Sequence, residues 1–358
     1  MLKVRLLKQL DRYLGNAGVF FLKKPTPVAR QAPRNILFIR PGGIGDAVLL
    51  LRAIRAVKDN YPSCRITVLA EKRNAAIFSF SGAVSRILLY DRFADLVAAI
   101  RGGFDVVIDT EQWHRLSAVI ARLTGAPLLV GYATNNRKKL FTHSVPYSHD
   151  THEVQSFLSL LAPLGILPPQ PVDAVLDIPS RAVASMEKKL AVLAGKPYIV
   201  IFPGASIPER RWGTEKFQEL AHRVHGWGLP IVIVGGHADQ SAGNTIASGG
   251  IGLNLAGTTS LAETAALLAR ARLLVTGDSG LLHIAAELKV PTVSLFGPGI
   301  EKKWAPRDDR HIVLNKHLDC SPCTRFGSTP KCPIAARCLA LITVDEVENA
   351  VRRILSES

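Results

Sequence analysis

Residues 275–286 read Val-Thr-Gly-Asp-Ser-Gly-Leu-Leu-His-Ile-Ala-Ala and join an apolar strand-like run to a helix-like run that ends near Leu288. We therefore expect Asp278 and Ser279 where a strand ends and a helix begins. The free N–H groups of such a helix start attract anions, and an Asp or Ser beside them can cap the helix or bind a hydroxyl. His283 is expected one turn into the helix, facing whatever the helix start binds. The segment fits either a ligand site or an ordinary capped helix.

The same alternation of apolar strands and helices runs through most of the chain. In the first half, strands are predicted at 35–40, 65–70, 86–89, 104–109 and 128–130. In the second half, they are predicted at 198–202, 230–234, 272–275 and 292–296. Strands that are apolar throughout and separated by helices indicate parallel sheets covered on both faces. The predicted fold class is α/β, with two doubly wound Rossmann-like domains facing a cleft.

Changes in composition along the chain indicate where the predicted domains begin and end. Residues 1–34 form a basic amphipathic arm, 35–170 the first domain, 171–196 a linker region containing one helix, and 197–358 the second domain. Ligands in doubly wound sheets lie beyond the carboxyl ends of the strands. The glycine-rich turns of both domains are therefore expected to line the cleft.

Length and hydropathy narrow the class of protein. The chain has 358 residues, too many for one ordinary core, and its 47% apolar content excludes the disordered class. No run of about 18 uncharged apolar residues is present, so no transmembrane helix is expected. The apolar stretch 19–22 precedes Lys23 and Lys24 rather than a cleavage site, which is not typical of a signal peptide. These features favour a cytoplasmic protein.

The net charge of +15 is concentrated partly in the N-terminal arm, residues 1–34. Leucines recur there at helical spacing, with basic residues on the other side. The basic residues of the arm are Lys3, Arg5, Lys8, Arg12, Lys23, Lys24, Arg30 and Arg34, against the single acid Asp11. A basic amphipathic helix followed by an aromatic patch suits an anionic membrane surface, or docks on the body of its own protein. Nucleic acid is not expected, because the aromatic interleaving of a base-stacking surface is missing.

The first glycine-rich turn, residues 40–46, reads Arg-Pro-Gly-Gly-Ile-Gly-Asp. A dinucleotide fingerprint starting at Gly43-x-Gly45 would need glycine where Val48 stands, so a nicotinamide-dependent oxidoreductase is disfavoured. Asp46 lies at a helix start, where it could cap the helix. It would also be well placed as a general base, which the helix dipole would keep ionised.

The second turn combines small residues with arginines. Gly204, Ala205 and Ser206 follow a strand, and Arg210 and Arg211 lie in a short loop before the next helix. Arginine is suited to planar, bidentate contact with phosphate, although a solvated loop would have the same composition. A further turn carries the hydroxyls of residues 258–260, among them Thr258, which bind a ligand or cap the following helix.

Four cysteines lie in a proline-rich loop at 317–338. Cys320, Cys323, Cys332 and Cys338 have the spacing C-x2-C-x8-C-x5-C. In a cytoplasmic chain, four thiols this close indicate Zn²⁺ rather than disulfides, although the spacing is not that of a standard zinc ribbon. A four-cysteine site would be structural, because it leaves no open position for substrate.

Taken together, these motifs resemble glycosyltransferase family 9, the lipopolysaccharide heptosyltransferases. The resemblance extends from 35 to 355. It rests on the turn ending at Asp46, on Phe-Asp-Val-Val-Ile-Asp at 104–109, on the Pro203 to Trp212 region, and above all on 277–285 with 291–298. The cysteine loop looks like the branch that adds the second heptose.

The family implies a GT-B fold, with acceptor in the first domain and nucleotide-sugar in the second. By resemblance the donor is ADP-L-glycero-D-manno-heptose, and the reaction inverts the anomeric centre and needs no metal ion. Asp46 matches the catalytic base, and Gly43 and Gly45 lie on the acceptor side. Arg210 falls where relatives usually carry a lysine that contacts the donor diphosphate. The residues expected to contact the donor are Gly204, Ser206, Arg210, Arg211, Thr258, Asp278, Ser279, Gly280 and His283.

The expected acceptor is an anionic, lipid-linked saccharide of the lipopolysaccharide core. An enzyme using it would be peripheral on the inner face of the cytoplasmic membrane. Two alternatives stay open: a family member transferring another sugar in O-antigen or capsule assembly, and a non-catalytic protein that binds nucleic acid or a partner.

Overall fold

The computed structural model describes residues 11–26, 32–166 and 176–357. The chain divides into two compact units, Met1–Val175 and Leu176–Ser358. Each unit contains one six-stranded parallel sheet with helices packed against it. The predicted α/β fold class, with two doubly wound Rossmann-like domains, is therefore confirmed.

The first unit is built on a sheet with the strand order β3-β2-β1-β4-β5-β6. Its strands are β1 (Asn35–Arg40), β2 (Arg65–Ala70), β3 (Arg86–Leu89), β4 (Val106–Asp109), β5 (Leu128–Tyr132) and β6 (His143–Val145). Its helices are α1 (Asn16–Phe21), α2 (Ile44–Asn60), α3 (Ala75–Phe78), α4 (Phe93–Ile100), α5 (Arg115–Leu123) and α6 (Glu153–Ser159). All four residues of β4 are buried, as expected for a central strand covered on both faces.

The second unit repeats this topology with the order β12-β11-β10-β7-β8-β9. Its strands are β7 (Ile199–Phe202), β8 (Ile231–Ile233), β9 (Gly252–Asn254), β10 (Leu273–Gly277), β11 (Thr292–Phe296) and β12 (His311–Asn315). Its helices are α7 (Ser180–Leu190), α8 (Thr214–His225), α9 (Gln240–Ile246), α10 (Leu261–Leu268), α11 (Gly280–Glu287), α12 (Glu301–Trp304), α13 (Arg337–Ala340) and α14 (Val344–Glu357).

In both sheets the strand order reverses between two adjacent central strands, β1 and β4 in one unit and β7 and β10 in the other. This is the strand order of a doubly wound fold, in which ligands bind outside the carboxyl ends of the strands at the reversal point. The topology therefore indicates two candidate ligand sites: the turns after β1 and β4, and the turns after β7 and β10.

The region predicted as a linker, 171–196, contains structure that belongs to the second unit. Within it, α7 packs against α10 and buries Ala182, Met186 and Leu190. The Ser185 hydroxyl donates to Glu263 at 2.6 Å, which adds a polar tie between the two helices. Residues 167–175 lie outside the described part of the chain.

The N-terminal arm is described only for residues 11–26, so most of the predicted amphipathic helix at 1–10 lies outside that range. The described part packs on the first unit, where α1 contacts α5 and Val19 is 3% exposed. Among the helices of the described residues, none has the length and hydropathy needed to cross a membrane.

Candidate active site

In the first unit, the turn after β1 brings a buried arginine against the predicted base. β1 ends at Arg40, and α2 begins at Ile44 after an extended Gly43. Gly42 has a φ of +125°, a conformation that glycine adopts without strain, and a Cβ there would lie 2.9 Å from the Arg40 Nη2 atom. Gly42 therefore lets the chain pass directly over the Arg40 side chain.

The Arg40 Nη2 atom donates to the Asp46 Oδ2 atom at 2.9 Å, and Arg40 Nη1 donates to the carbonyl of Thr110 after β4 at 2.8 Å. The Arg40 side chain is 3% exposed and that of Asp46 is 23% exposed. Burial alone would lower the pKa of Arg40, but the carboxylates of Asp46, Glu111 and Glu153 outweigh it and raise that pKa. A permanently charged arginine thus fixes one carboxylate oxygen of Asp46, while part of the side chain remains open to solvent.

The interpretation of Asp46 as a helix cap is wrong. Gly43 is the N-cap residue of α2 and makes no side-chain cap, while Asp46 lies in the first turn and bonds to Arg40. Arg40 was not selected from the sequence. The sequence feature that could have identified Arg40 is a charged residue at the end of an otherwise apolar strand.

A second layer of buried polar groups surrounds Arg40. The Gln112 side-chain amide donates to Glu153 Oε1 at 2.6 Å, and the Tyr147 hydroxyl donates to Glu153 Oε2 at 3.1 Å. Burial alone would raise the pKa of Glu111, but neighbouring cations, Arg40 foremost, outweigh it and hold that pKa below its usual value. This network keeps the carboxylates near Arg40 bonded and ordered, which stabilises the geometry of the Arg40–Asp46 pair.

In the second unit, the turn after β10 forms as predicted, with α11 beginning at Gly280. The Ser279 hydroxyl accepts from the N–H of Leu282 at 3.4 Å and lies 3.1 Å from the Thr276 hydroxyl. Ser279 is therefore the N-cap of α11, and its hydroxyl is already engaged. His283 lies in the first turn of α11 and is 4% exposed.

The turns after β7 and β10 meet through an ion pair. The Arg210 Nη1 atom lies 2.8 Å from the Asp278 Oδ2 atom, with side-chain exposures of 15% and 7%. A Cβ at Gly277 would lie 2.9 Å from the Arg210 carbonyl oxygen, so only glycine allows this approach of the two turns. Two of the residues predicted to bind the donor, Arg210 and Asp278, are thereby brought together, and Asp278 fixes the guanidinium beside the start of α11.

Three other residues predicted to contact the donor lie on the turn that follows β7. The Arg211 side chain donates from Nε and Nη2 to the Ala205 carbonyl at 3.1 and 2.9 Å, which holds the turn after β7. Gly204 is buried, and a Cβ there would lie 2.3 Å from the Asp239 carboxylate. Ser206 is exposed on the same turn.

Thr258 lies on the turn that follows β9, where its hydroxyl donates to the carbonyl of Leu255 at 2.9 Å. The cap of α10 is supplied instead by Ser260, through a capping box with Glu263. The hydroxyl of Thr258 therefore stabilises its own turn in this structure.

The cysteine loop reaches Arg210. The N–H groups of Cys323 and Thr324 donate to the Pro298 carbonyl at 3.1 and 2.9 Å. Arg210 Nη2 in turn donates to the hydroxyls of Thr324 and Thr329 at 3.3 and 3.4 Å. No local sequence pattern indicated these two threonines, because the contact joins residues more than a hundred positions apart.

Two thiols of the loop, those of Cys323 and Cys338, have shifted pKa values. Burial, together with the neighbouring thiols, raises the pKa values of Cys323 and Cys338. Within the described ranges, however, no group of three or more His, Cys, Asp or Glu side chains is arranged to hold a metal ion. The predicted structural zinc is therefore not confirmed.

Comparison with known proteins agrees with this architecture. The sequence model of glycosyltransferase family 9 (heptosyltransferase) matches residues 93–333. The chain is 29% identical to lipopolysaccharide heptosyltransferase 3 of Escherichia coli K12 over 73% of this chain and 82% of that protein. It is 28% identical to lipopolysaccharide heptosyltransferase 2 of Salmonella typhimurium over 78% of this chain and 87% of that protein.

Solved structures share the fold. A family 9 glycosyltransferase of Veillonella parvula superimposes with a TM-score of 0.76 at 18% identity, covering 91% of this chain and 98% of that one. Escherichia coli ADP-heptose lps heptosyltransferase II superimposes with a TM-score of 0.72 at 24% identity, covering 90% and 99%.

Two doubly wound parallel sheets, each with a polar site where its strand order reverses, form the GT-B fold. Because a fold alone does not fix an activity, the match to the family model is what shows that the chain is a glycosyltransferase. Within that class, the chain belongs to glycosyltransferase family 9. Its relatives include heptosyltransferases of types 1, 2 and 3 at 24–29% identity, so the similarity does not select the second-heptose branch.

Proposed function

We propose that this enzyme transfers L-glycero-D-manno-heptose from ADP-heptose onto the inner core of lipopolysaccharide, with a lipid A–Kdo or heptose-bearing acceptor. The observation that carries the proposal is the Arg210–Asp278 pair, which fixes a guanidinium beside a helix start at the reversal point of the second sheet. Both features favour a diphosphate. The names of the relatives, lipopolysaccharide heptosyltransferases, support heptose as the transferred sugar and lipopolysaccharide as the product.

The proposed reaction is a single displacement with inversion. An acceptor hydroxyl attacks the anomeric carbon, the bond from that carbon to the diphosphate oxygen breaks, and Asp46 takes the hydroxyl proton. Arg40 orients the carboxylate for this step through its 2.9 Å hydrogen bond. Arg210 and the N–H groups at the start of α11 stabilise the negative charge that develops on the departing ADP. Fixed charges of the chain supply this stabilisation, so we propose that catalysis needs no metal ion.

Nucleotide release across a panel of donors tests the proposal. Purified enzyme with a lipid A–Kdo acceptor should release ADP from ADP-heptose, and should release little nucleotide from UDP- or GDP-sugars. If ADP is released only from another ADP-sugar, with an O-antigen or capsule precursor as acceptor, the enzyme is instead a family member that transfers a different sugar. A protein that releases no nucleotide from any ADP-sugar would contradict the proposal.

The contact between the cysteine loop and Arg210 gives a further prediction. Thr324 is 1% exposed, and Thr324→Val removes its hydroxyl with little change in shape. Because Arg210 would lose a hydrogen bond worth about 1 kcal/mol, we expect the KM for ADP-heptose to rise roughly fivefold, with a smaller change in kcat. Thr245→Val, on an exposed face of α9, is the matched control and should leave both constants unchanged.

The structural zinc stays a prediction. Elemental analysis of the purified protein should find about one zinc per chain, bound by Cys320, Cys323, Cys332 and Cys338. Protein purified without bound metal and fully active would contradict it.

A further inference from the structure

The described part of the N-terminal arm, residues 11–26, is clamped to the first unit. The Asp11 Oδ1 atom accepts from the N–H of Leu116 at 2.7 Å, next to the start of α5. Lys139 Nζ donates to the carbonyls of Val19 and Phe20 at 2.9 and 3.1 Å. Arg122 Nε donates to the carbonyl of Lys23 at 3.0 Å.

Two glycines bring the arm and α5 into direct contact. A Cβ at Gly15 would lie 2.9 Å from the Cβ of Arg115, and one at Gly18 would lie 2.6 Å from a Val119 methyl. Val19 joins the core of the unit from this side. Residues 11–26 are therefore docked on their own protein, while most of the predicted amphipathic helix lies outside the described residues.

Docking leaves large apolar side chains in solvent. We define the arm face as Tyr13, Leu14, Phe20 and Phe21, which are 69%, 56%, 76% and 78% exposed. The Phe20 and Phe21 rings contact each other edge to face, with centroids 5.1 Å apart. A docked segment could bury such residues against the body, yet this one buries Val19 and presents the larger side chains outward. Exposed apolar groups gathered in so short a segment mark an interaction surface.

The arm and the elements that hold it carry many more cations than acids, which favours an anionic partner. Cations on the arm and on the elements that hold it are Lys23, Lys24, Arg115, Arg122, Lys138 and Lys139. The one acid of residues 11–26, Asp11, is 7% exposed and bonded to Leu116 and His114. A second copy meeting this face by two-fold symmetry would bring like charges together, which opposes self-association.

We propose that the arm face docks the enzyme on an anionic phospholipid bilayer. The aromatic rings and Leu14 enter the boundary between headgroups and acyl chains, where amphipathic rings are favoured, while the surrounding cations attract the anionic headgroups. The residues of the arm face belong to the first unit and include none of those assigned to the two candidate sites, so the proposal does not depend on the identity of the sugar.

Vesicle co-sedimentation with the full-length protein tests this surface. Wild-type protein should sediment with phosphatidylglycerol-containing vesicles and much less with phosphatidylcholine vesicles, and raised salt should weaken the binding. The double substitution Phe20→Ser/Phe21→Ser should weaken binding at least about tenfold, since two rings leave the bilayer. Lys23→Glu/Lys24→Glu should weaken it too and reduce its salt dependence.

Val192→Ser is the matched control, because Val192 is 73% exposed but lies in the second unit. It should bind vesicles as wild type does, and all variants should share one thermal midpoint, since surface substitutions change stability little. Wild-type protein that ignores anionic vesicles, or a Phe20/Phe21 variant that still binds them fully, overturns the proposal. So does light scattering that shows a wild-type dimer and a monomeric variant. Transfer to a detergent-dispersed acceptor should survive in the variant, which separates a failure here from a failure of the proposed reaction.

Discussion

Replacing Asp46 with asparagine is expected to lower kcat about a thousandfold while leaving the affinity for ADP-heptose unchanged. Asparagine has the same shape and can still accept from Arg40, so the pair stays in place and only the proton acceptor is lost. Steady-state kinetics with a lipid A–Kdo acceptor, combined with calorimetric titration of donor, measures both quantities. A loss of kcat with unchanged donor affinity is the result expected for a residue that acts as the general base.

The same substitution elsewhere on α2 provides the control. Asp59 is 48% exposed and pairs with Arg55, four residues earlier. Asp59→Asn should therefore retain full activity. If Asp46→Asn kept wild-type turnover, Asp46 would not be the base, and the Arg40–Asp46 pair would be structural.

Replacing Arg210 with alanine should lower kcat/KM for the donor by roughly two to three orders of magnitude, as the loss of a preorganised charge at a leaving group does elsewhere. Alanine also leaves Asp278 buried without its partner, which can cost about 3 to 5 kcal/mol of stability. Arg210→Lys separates the two effects, because it keeps a cation beside Asp278 but lacks the planar fork.

We expect Arg210→Lys to fold normally and to lose about tenfold in kcat/KM, between wild type and alanine. Thermal unfolding of the three proteins, measured beside their kinetics, checks this order. A lysine variant as impaired as alanine despite normal stability would show that the bidentate geometry, rather than the charge, carries the function. Full activity in a folded alanine variant would remove Arg210 from the donor site.

The central strands were predictable because the feature that marks them, a continuous apolar run, lies within a few consecutive residues. β1, β2, β7 and β10 are apolar runs buried on both faces, and that burial is visible in their composition. The edge strands β6, β9 and β12 were not predicted. None of their residues is buried, and β6 and β9 contain no continuous apolar run, although β12 has Ile-Val-Leu at 312–314. The fourth edge strand, β3, was predicted from its run Ile-Leu-Leu at 87–89. The edge assignment emerges only from pairing with β5, β8 and β11.

The positions of the candidate site residues were predictable from the sequence, but the contacts among their side chains were not. Composition placed Asp46, Arg210 and Asp278 at strand ends, because glycine-rich turns after apolar strands are a sequence pattern. It could not show that Arg40 holds Asp46, or that Asp278, Thr324 and Thr329 surround Arg210. The contacts of Arg210 join distant segments, and only the packed sheet brings them together.

The mass of the acceptor after incubation tests the central claim most directly. With ADP-heptose and a lipid A–Kdo acceptor, mass spectrometry should show the acceptor gaining one heptosyl residue, and the product should have the anomeric configuration opposite to that of the donor. Wild-type and Asp59→Asn enzymes should give this product, and Asp46→Asn should give almost none. An acceptor that gains no heptose, or that gains a different sugar from another nucleotide donor, would contradict the account.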